Sequence, residues 1–110
     1  MSTKSPSIPR GTRLAQPFLE ELMGGPLTFG RMLESHRLCD EVSQTAYAAK
    51  LGISRSHLND IEKGRKAVSP ARAAHWAEVL GYSTFMFVRL ALQDMADRTG
   101  LKLRVDVRAA

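Results

Sequence analysis

One glycine between two helical stretches constrains this chain more than any other feature. The segment SQTAYAAKLGISRSHLNDIEKGR spans residues 43–65 and has helical character except at Gly52. Glycine adopts the left-handed backbone conformation that ends a helix without a clash at Cβ. The segment therefore predicts a helix over 44–51, a tight turn at Gly52, and a second helix over 55–63 with Ser54 as its N-cap.

Seven positions of this segment fit a helix-turn-helix unit when Gln44 is counted as position one. Position five needs a small side chain, because the two helices approach there, and position nine needs glycine. The other five positions face the core and need apolar side chains. The residues at these positions are Tyr47, Ala48, Leu51, Gly52, Ile53, Leu58 and Ile61. A plain helical hairpin is the alternative, but it requires neither the alanine nor the glycine.

Capping residues divide the remaining chain into further helices. Thr28 precedes a predicted helix over 29–38, and Ser83 precedes one that runs to about residue 99. Ser69 and Pro70 form an N-cap and first-position pair for a helix that ends near residue 80. A short amphipathic helix is also expected over about 13–23. Six helices in a chain of 110 residues predict an all-α fold, a small helical bundle.

The last residues change their period from helical to strand-like. LKLRVDVR, over 101–108, alternates apolar and polar residues, which predicts one C-terminal β-strand. A lone strand needs a ladder partner. We favour the same strand of a second copy, and the edge of a sheet in a partner protein is the alternative. The helix before it is apolar around much of its circumference, which suggests a dimer contact. The predicted dimer interface comprises Phe87, Leu90, Ala91, Leu101, Leu103, Val105 and Val107.

These boundaries divide the chain into four parts. The predicted parts are a flexible tail over 1–12, a short N-terminal helix over 13–26, a helix-turn-helix domain over 27–82, and a C-terminal helix and strand for dimerisation over 83–110.

Charge and cysteine usage limit the classes of partner. The formal net charge of +5 favours acidic partners, nucleic acid among them. The single cysteine, Cys39, excludes an intrachain disulfide and fits a cytoplasmic protein. No apolar run approaches the roughly 20 residues that span a bilayer, so we expect no membrane contact.

Candidate catalytic and metal-binding residues do not form a set. His36 and Cys39 lie three residues apart, but two ligands do not make a metal site. Ser54 and Ser56 lie close to His57, and a cap and an exposed polar position explain them without nucleophilic chemistry. There is no glycine pattern of a phosphate-binding loop. We therefore expect no catalysis, no cofactor and no metal.

The helix-turn-helix segment resembles the Cro/cI-type (XRE) family of DNA-binding domains. The likeness is carried by Ser43-Gln44, by the turn Leu51-Gly52-Ile53-Ser54, and by IEKGR over 61–65. It covers about 27–82 and implies a lambda-repressor-like fold. The wider stretch 18–107 resembles HigA-type antitoxins and their relatives, through an opening Gly-Gly-Pro-Leu-Thr, a Ser-Pro before a helix, and a late LALQD.

The resemblance implies which side chains meet DNA. In such domains the second motif helix lies in the major groove, with its N-terminal residues on base edges. Residues expected to read bases are Arg55, Ser56, Asn59 and Asp60. Residues expected to contact the DNA backbone are Gln44, Ser54, His57, Lys63, Arg65 and Lys66.

Three of these residues have more specific expected roles. Arg55 is the strongest base reader, because its planar fork can donate two hydrogen bonds to guanine O6 and N7. Asp60 is acidic and is repelled by phosphate. It is expected either to accept a bond from cytosine N4 or to pair with a nearby arginine. Glu62 resembles a structural acid of the family.

These features together predict a sequence-specific transcriptional repressor that binds double-stranded DNA at a palindromic operator as a homodimer. The likeness to HigA-type proteins implies the antitoxin of a type II toxin–antitoxin pair, which binds a toxin and regulates its own operon. Two alternatives stay open. One is a stand-alone XRE-family regulator without a toxin partner, and the other is a protein-interaction module that does not read DNA.

Overall fold

The computed structural model describes residues 27–110, which form five α-helices. The helices are α1 (Phe29–Cys39), α2 (Gln44–Leu51), α3 (Arg55–Glu62), α4 (Pro70–Leu80) and α5 (Thr84–Arg98). Each begins and ends within about one residue of its predicted bounds, which confirms the all-helical bundle in this part of the chain. The predicted tail over 1–12 and the predicted helix over 13–23 lie outside the described residues.

Local side-chain chemistry sets the helix boundaries. A serine or threonine oxygen accepts a hydrogen bond of 3.0–3.2 Å from a backbone N–H in the first turn of every helix. The N-caps are Thr28, Ser43, Ser54, Ser69 and Ser83. Gly52 ends α2 with φ 76° and ψ 28°, the left-handed conformation expected for it.

One core joins the helices. The largest fully buried side chains include Trp76 from α4 and Tyr47 from α2. The ring nitrogen of Trp76 donates a hydrogen bond of 3.2 Å to the backbone oxygen of Leu51, so α4 is fixed against the last turn of α2. The rings of Phe29 and Phe87 meet edge-on, with centroids 5.6 Å apart, which joins α1 to α5.

α1 lies directly against the end of α3 because Gly30 has no side chain. A Cβ atom at Gly30 would overlap the backbone oxygen of Ile61 and come within 3.2 Å of that of Glu62. The absence of a side chain therefore sets how closely the first helix approaches the end of the second motif helix.

The C-terminal segment differs from its prediction. No strand occurs anywhere in residues 27–110, so the strand predicted over 101–108 is not seen in the single chain. A strand needs backbone partners, and this part of the chain offers it no neighbouring strand. The side chain of Gln93 supplies two hydrogen bonds instead. Its Nε2 donates to the backbone oxygen of Leu103 at 2.6 Å, and its Oε1 accepts from the backbone N–H of Val105 at 2.8 Å.

The predicted dimer residues of α5 lie in the core of the single chain. Phe87, Leu90 and Ala91 are each 0% exposed in the single chain, so they have no free surface in this conformation. The outer side of the same helix carries the exposed apolar side chains, with Phe85 54% and Met95 45% exposed. The helix is apolar on both sides, so its sequence pattern does not distinguish the side that meets the core from the outer side.

The four apolar residues predicted for the strand do not share one environment. Leu101 and Leu103 are exposed, whereas Val105 and Val107 are half-buried. The segment is thus held to α5 near its middle and leaves its first two leucines exposed.

Candidate nucleic-acid interface

α3 has a buried side and an outer side. Leu58, Ile61 and Glu62 are buried, as the helix-turn-helix spacing requires for the two apolar residues. Arg55 and Ser56 are exposed at the start of the helix. The outer side continues with the half-buried residues His57, Asn59 and Asp60. The four residues predicted to read bases therefore lie together on the outer side of one helix.

Gln44 connects α2 to α3 through its side-chain amide. Its Nε2 donates to Oδ1 of Asn59 at 3.1 Å and to Oε1 of Glu62 at 2.9 Å. Its Oε1 accepts a hydrogen bond of 3.1 Å from Nη1 of Arg55. A carboxylate only accepts and a guanidinium only donates, so these partners determine which way the amide points. A predicted base reader and a predicted backbone contact thus belong to one hydrogen-bond chain.

A buried ion pair lies beneath this chain. Nε and Nη2 of Arg37 donate to the two carboxylate oxygens of Glu62 at 2.7 and 3.1 Å. Nη1 of Arg37 donates to the backbone oxygen of Val42 at 3.0 Å. The bond to Glu62 raises the pKa of Arg37 above its usual value. The pair therefore joins α1, the turn after it, and the end of α3.

Only one residue of this ion pair, Glu62, could be predicted from the sequence. Glu62 resembles a structural acid of the family, which agrees with its burial. Arg37 stands 25 residues away on another helix, and no local pattern marks it as the partner. Its only signal is an arginine in the last turn of α1, a position that is usually solvated.

Asp60 pairs with the cations that follow α3. Its Oδ1 accepts from Nη1 of Arg65 at 3.2 Å, and its Oδ2 lies 4.0 Å from Nζ of Lys66. The backbone oxygen of Asp60 also accepts from the N–H groups of Arg65 and Lys66, at 2.8 and 3.3 Å. Of the two roles expected for Asp60, the structure contains the pairing with arginine. Such exposed pairs add little stability, but these contacts give the loop a defined shape.

Positive charge is concentrated at the C-terminal end of α3. Lys63, Arg65 and Lys66 are exposed there. Arg98, from the last turn of α5, reaches the same place and donates from Nη2 to the backbone oxygen of Gly64 at 2.9 Å. These positive side chains lie beside the polar outer side of α3, an arrangement that suits contact with the negatively charged phosphates of a DNA duplex.

Ser54 and His57 are linked by the N-cap hydrogen bond of α3. The hydroxyl oxygen of Ser54 accepts from the backbone N–H of His57 at 3.0 Å, as an N-cap does. The hydroxyl hydrogen of Ser54 is not used in that bond and can donate to a phosphate.

The two candidate metal ligands of α1 have other environments. His36 stacks on Tyr82, with ring centroids 3.7 Å apart, and burial lowers its pKa from 6.5. Cys39 is exposed. Within residues 27–110 no group of three or more His, Cys, Asp or Glu side chains could hold a metal ion. In the same part of the chain no helix has the length and apolar character needed to cross a membrane.

Comparison with known protein families gives a match to part of the chain. A helix-turn-helix family model matches residues 41–87, which contain α2, α3, α4 and the start of α5. No curated protein and no solved structure matches the chain. The match confirms the helix-turn-helix assignment of the segment around Gly52 and supports DNA binding of the XRE type. It does not extend to the antitoxin likeness of the flanking residues.

Proposed function

We propose that this chain is a sequence-specific DNA-binding transcriptional regulator of the XRE type, and that it acts as a repressor. The observation that carries the proposal is the outer side of α3, where four polar side chains predicted to read bases lie next to the exposed cations of residues 63–66. The family match over 41–87 supports the same function. The proposed role is binding without catalysis, in the cytoplasm, where the DNA is.

Arg55 is the main base reader in this proposal. One of its nitrogens, Nη1, is held by Gln44, which leaves Nη2 and Nε to donate to guanine O6 and N7. A guanidinium that is already oriented loses less side-chain entropy on binding than a free one. Ser56 adds a donor and acceptor beside it, with weak base preference.

Gln44 acts on DNA mainly through Arg55. Both hydrogens of its amide nitrogen are used, by Asn59 and Glu62, so contact between this side chain and a phosphate would cost one of those bonds. We therefore assign its side chain the positioning of Arg55. The backbone contacts fall to the hydroxyl of Ser54 and to the cations after α3.

The proposed functional unit is a homodimer on a palindromic operator. One recognition helix covers only a few base pairs, and two-fold dimers read two half-sites about 34–36 Å apart. The outer side of α5 is the proposed contact, because Phe85 and Met95 are exposed there. Val88 and Leu92 lie between them along the helix and are half-buried, which gives a stripe about three turns long.

A narrower proposal is that the chain is the antitoxin of a type II pair and represses its own operon. Its support is the HigA-like sequence over 18–107. The toxin contact is then expected in the first 26 residues. A stand-alone regulator with the same DNA-binding surface is the alternative, and co-purification with the product of an adjacent gene separates the two.

The test of DNA reading starts from a random duplex library, because the operator is not known. We expect selection on the immobilised protein to enrich a palindromic site. Binding to that site should exceed binding to a scrambled duplex by about 10³-fold or more at physiological salt. Equal affinity for the two duplexes, or no enrichment, would leave the protein-interaction module as the remaining function.

A further inference from the structure

The end of α5 lies beside the end of the recognition helix. Arg98 holds the backbone oxygen of Gly64, directly after α3, at 2.9 Å. One turn earlier, the carboxylate of Asp94 accepts a hydrogen bond from the backbone N–H of Phe29, at the start of α1. Gly30, the next residue of α1, lies against the last turn of α3. The last two turns of α5, the start of α1 and the end of α3 therefore meet in one place.

The C-terminal segment leaves α5 at this place and turns back along the helix. Gly100 has φ 80°, and the backbone N–H of Leu101 donates to the backbone oxygen of Ala96 at 3.3 Å. Residues 103 and 105 then reach Gln93, which is five residues before Arg98. The segment therefore contacts α5 again within seven residues of the end of that helix at Arg98.

Gln93 holds the segment in a defined position. Its amide donates to the backbone oxygen of Leu103 and accepts from the backbone N–H of Val105, the two bonds that a parallel strand would make on either side of Arg104. Its nitrogen also donates to Oδ1 of Asp97 at 2.9 Å. Gln93 is itself buried, and its amide makes three hydrogen bonds.

Two cations of the segment are exposed and without a partner among residues 27–110. Lys102 and Arg104 have neither an ion pair nor a hydrogen bond there. The nearby acids are already engaged. Asp106 accepts from Nε of Arg108 at 3.4 Å, and Asp97 accepts from Gln93. Lys102 and Arg104 therefore carry uncompensated charge on a segment that Gln93 holds against α5, and α5 itself contacts the loop after α3 through Arg98.

We infer that Lys102 and Arg104 form a second contact to the DNA backbone, beyond the phosphates met by residues 63–66. This rests on the proposed DNA binding. Lys102 follows Arg98 by four residues, so their Cα atoms are at most about 14 Å apart. Arg98 itself bonds to the loop after α3, so the added contact is expected on the same stretch of DNA backbone as the contacts of that loop. Gln93 is the positioning residue of this contact.

The inference is tested by salt-dependent binding of a double variant, Lys102→Gln with Arg104→Gln, to the selected operator. Loss of two phosphate contacts should lower the slope of log K against log salt by about 1.8. The ratio of the operator affinity of the wild type to that of the double variant should then fall about tenfold between 50 and 200 mM salt. A duplex cut back to the base pairs read by α3 should bind the double variant and the wild type more nearly equally.

A charge-matched control separates a local contact from a change in net charge. Arg104→Gln and Lys50→Gln each remove one exposed positive charge, and Lys50 lies in the last turn of α2. We expect only Arg104→Gln to lower the slope. Equal slopes for the wild type and the double variant, or an equal loss for Lys50→Gln, would overturn the second contact while leaving DNA binding intact. No salt-dependent binding by the wild type would overturn both.

Gln93→Leu tests the positioning role separately. It removes the two bonds to the segment but retains an apolar side chain next to the core. We expect Gln93→Leu to lower the salt slope as much as the double variant does. Adding Gln93→Leu to the double variant should then lower the slope little further. Full additivity of the two changes would show that Gln93 does not position the cations. The double variant tests the contact whether or not Gln93→Leu folds.

Discussion

Gln44 and Arg55 stand on different helices and are joined by a hydrogen bond of 3.1 Å from Nη1 of the arginine to Oε1 of the amide. The bond makes the orientation of the proposed base reader depend on a residue of the helix before it. The same amide also holds Glu62, so that orientation is linked to the buried ion pair beneath.

Arg55→Ala should cost about 1–3 kcal/mol of binding free energy for the operator and relax the preference at one base position. Gln44→Ala should also weaken operator binding, by part of that amount, because Arg55 then loses the hydrogen bond that orients its guanidinium. Titrations of the single and double variants form a cycle whose coupling we expect at about 0.5–1 kcal/mol or more.

Lys66→Ala is the matched control for that cycle. It should weaken binding to operator and scrambled duplex evenly and lower the salt slope by about one. An Arg55→Ala variant that lost equal affinity for both duplexes would contradict the role of Arg55 in base reading.

Breaking the pair between Arg37 and Glu62 should destabilise the fold strongly. Glu62→Leu leaves a buried guanidinium without its carboxylate, and we expect a loss of about 3–5 kcal/mol in the free energy of unfolding. The double variant Arg37→Met with Glu62→Leu should recover much of that loss, since it leaves no unpaired charge. Urea denaturation of the three proteins measures both values. A double variant no more stable than Glu62→Leu would indicate that other contacts dominate.

Glu41 carries backbone strain that glycine would relieve. Its φ is 56°, in the left-handed region that an L residue adopts at a cost of about 1–2 kcal/mol. Glu41→Gly relieves that strain, and the added backbone freedom of the unfolded chain offsets only part of the gain, so we expect a net stabilisation of about 0.5–1 kcal/mol. Thermal or urea unfolding measures it. The control is Glu41→Gln, which removes the charge but keeps Cβ. If that variant is stabilised equally, charge and not strain is the cause.

Stability should depend on pH through His36. Burial lowers its folded-state pKa below 6.5, so the unfolded chain binds the proton more readily. The free energy of unfolding should therefore be greatest above about 6.5 and fall as pH drops from 6.5 towards the lower folded pKa. Asp40 opposes this effect in part.

Unfolding measured from pH 7.5 to pH 5 checks the dependence. His36→Phe keeps a ring against Tyr82 and should flatten the curve. The control His75→Gln removes an exposed imidazole on α4 and should keep the wild-type slope. A slope that persists in His36→Phe would mean that other groups cause it.

The proposed dimer should depend on the outer side of α5. Phe85→Glu places a charge in the apolar stripe and should shift the protein towards monomer, as sedimentation at micromolar concentration would detect. Leu38→Glu adds the same charge at a site on α1 that is equally open, 59% exposed against 54% for Phe85. If both variants sediment as the wild type does, the contact lies elsewhere.

Short-range features of this fold could be predicted from the sequence. An N-cap acts within three residues, and the conformation of Gly52 depends on its own missing side chain, so the pattern around each is sufficient. The outer side of α3 followed in the same way, because the inward positions of Leu58 and Ile61 determine which neighbours point outward.

Long-range features could not be predicted in the same way. The pairing of Arg37 with Glu62 depends on how α1 approaches α3, which Gly30 controls from outside the helix-turn-helix segment. For α5, a helix that is apolar on both sides gives no periodic signal for the side that meets the core. The alternation over 101–108 measures strand propensity alone, and it cannot supply the neighbouring strand that a ladder requires.

The hydrogen-bond chain that links α2 to α3 limits which residues of the proposed DNA-reading surface could be exchanged independently. Ser56 has no side-chain bond within residues 27–110, so exchanging it should leave the hydrogen-bond chain intact. Arg55 and Asn59 both bond to Gln44, and a substitution at either position disturbs an amide that also contacts a buried carboxylate. An engineer grafting a new recognition surface would therefore have to exchange Gln44 together with Arg55 and Asn59 as one unit.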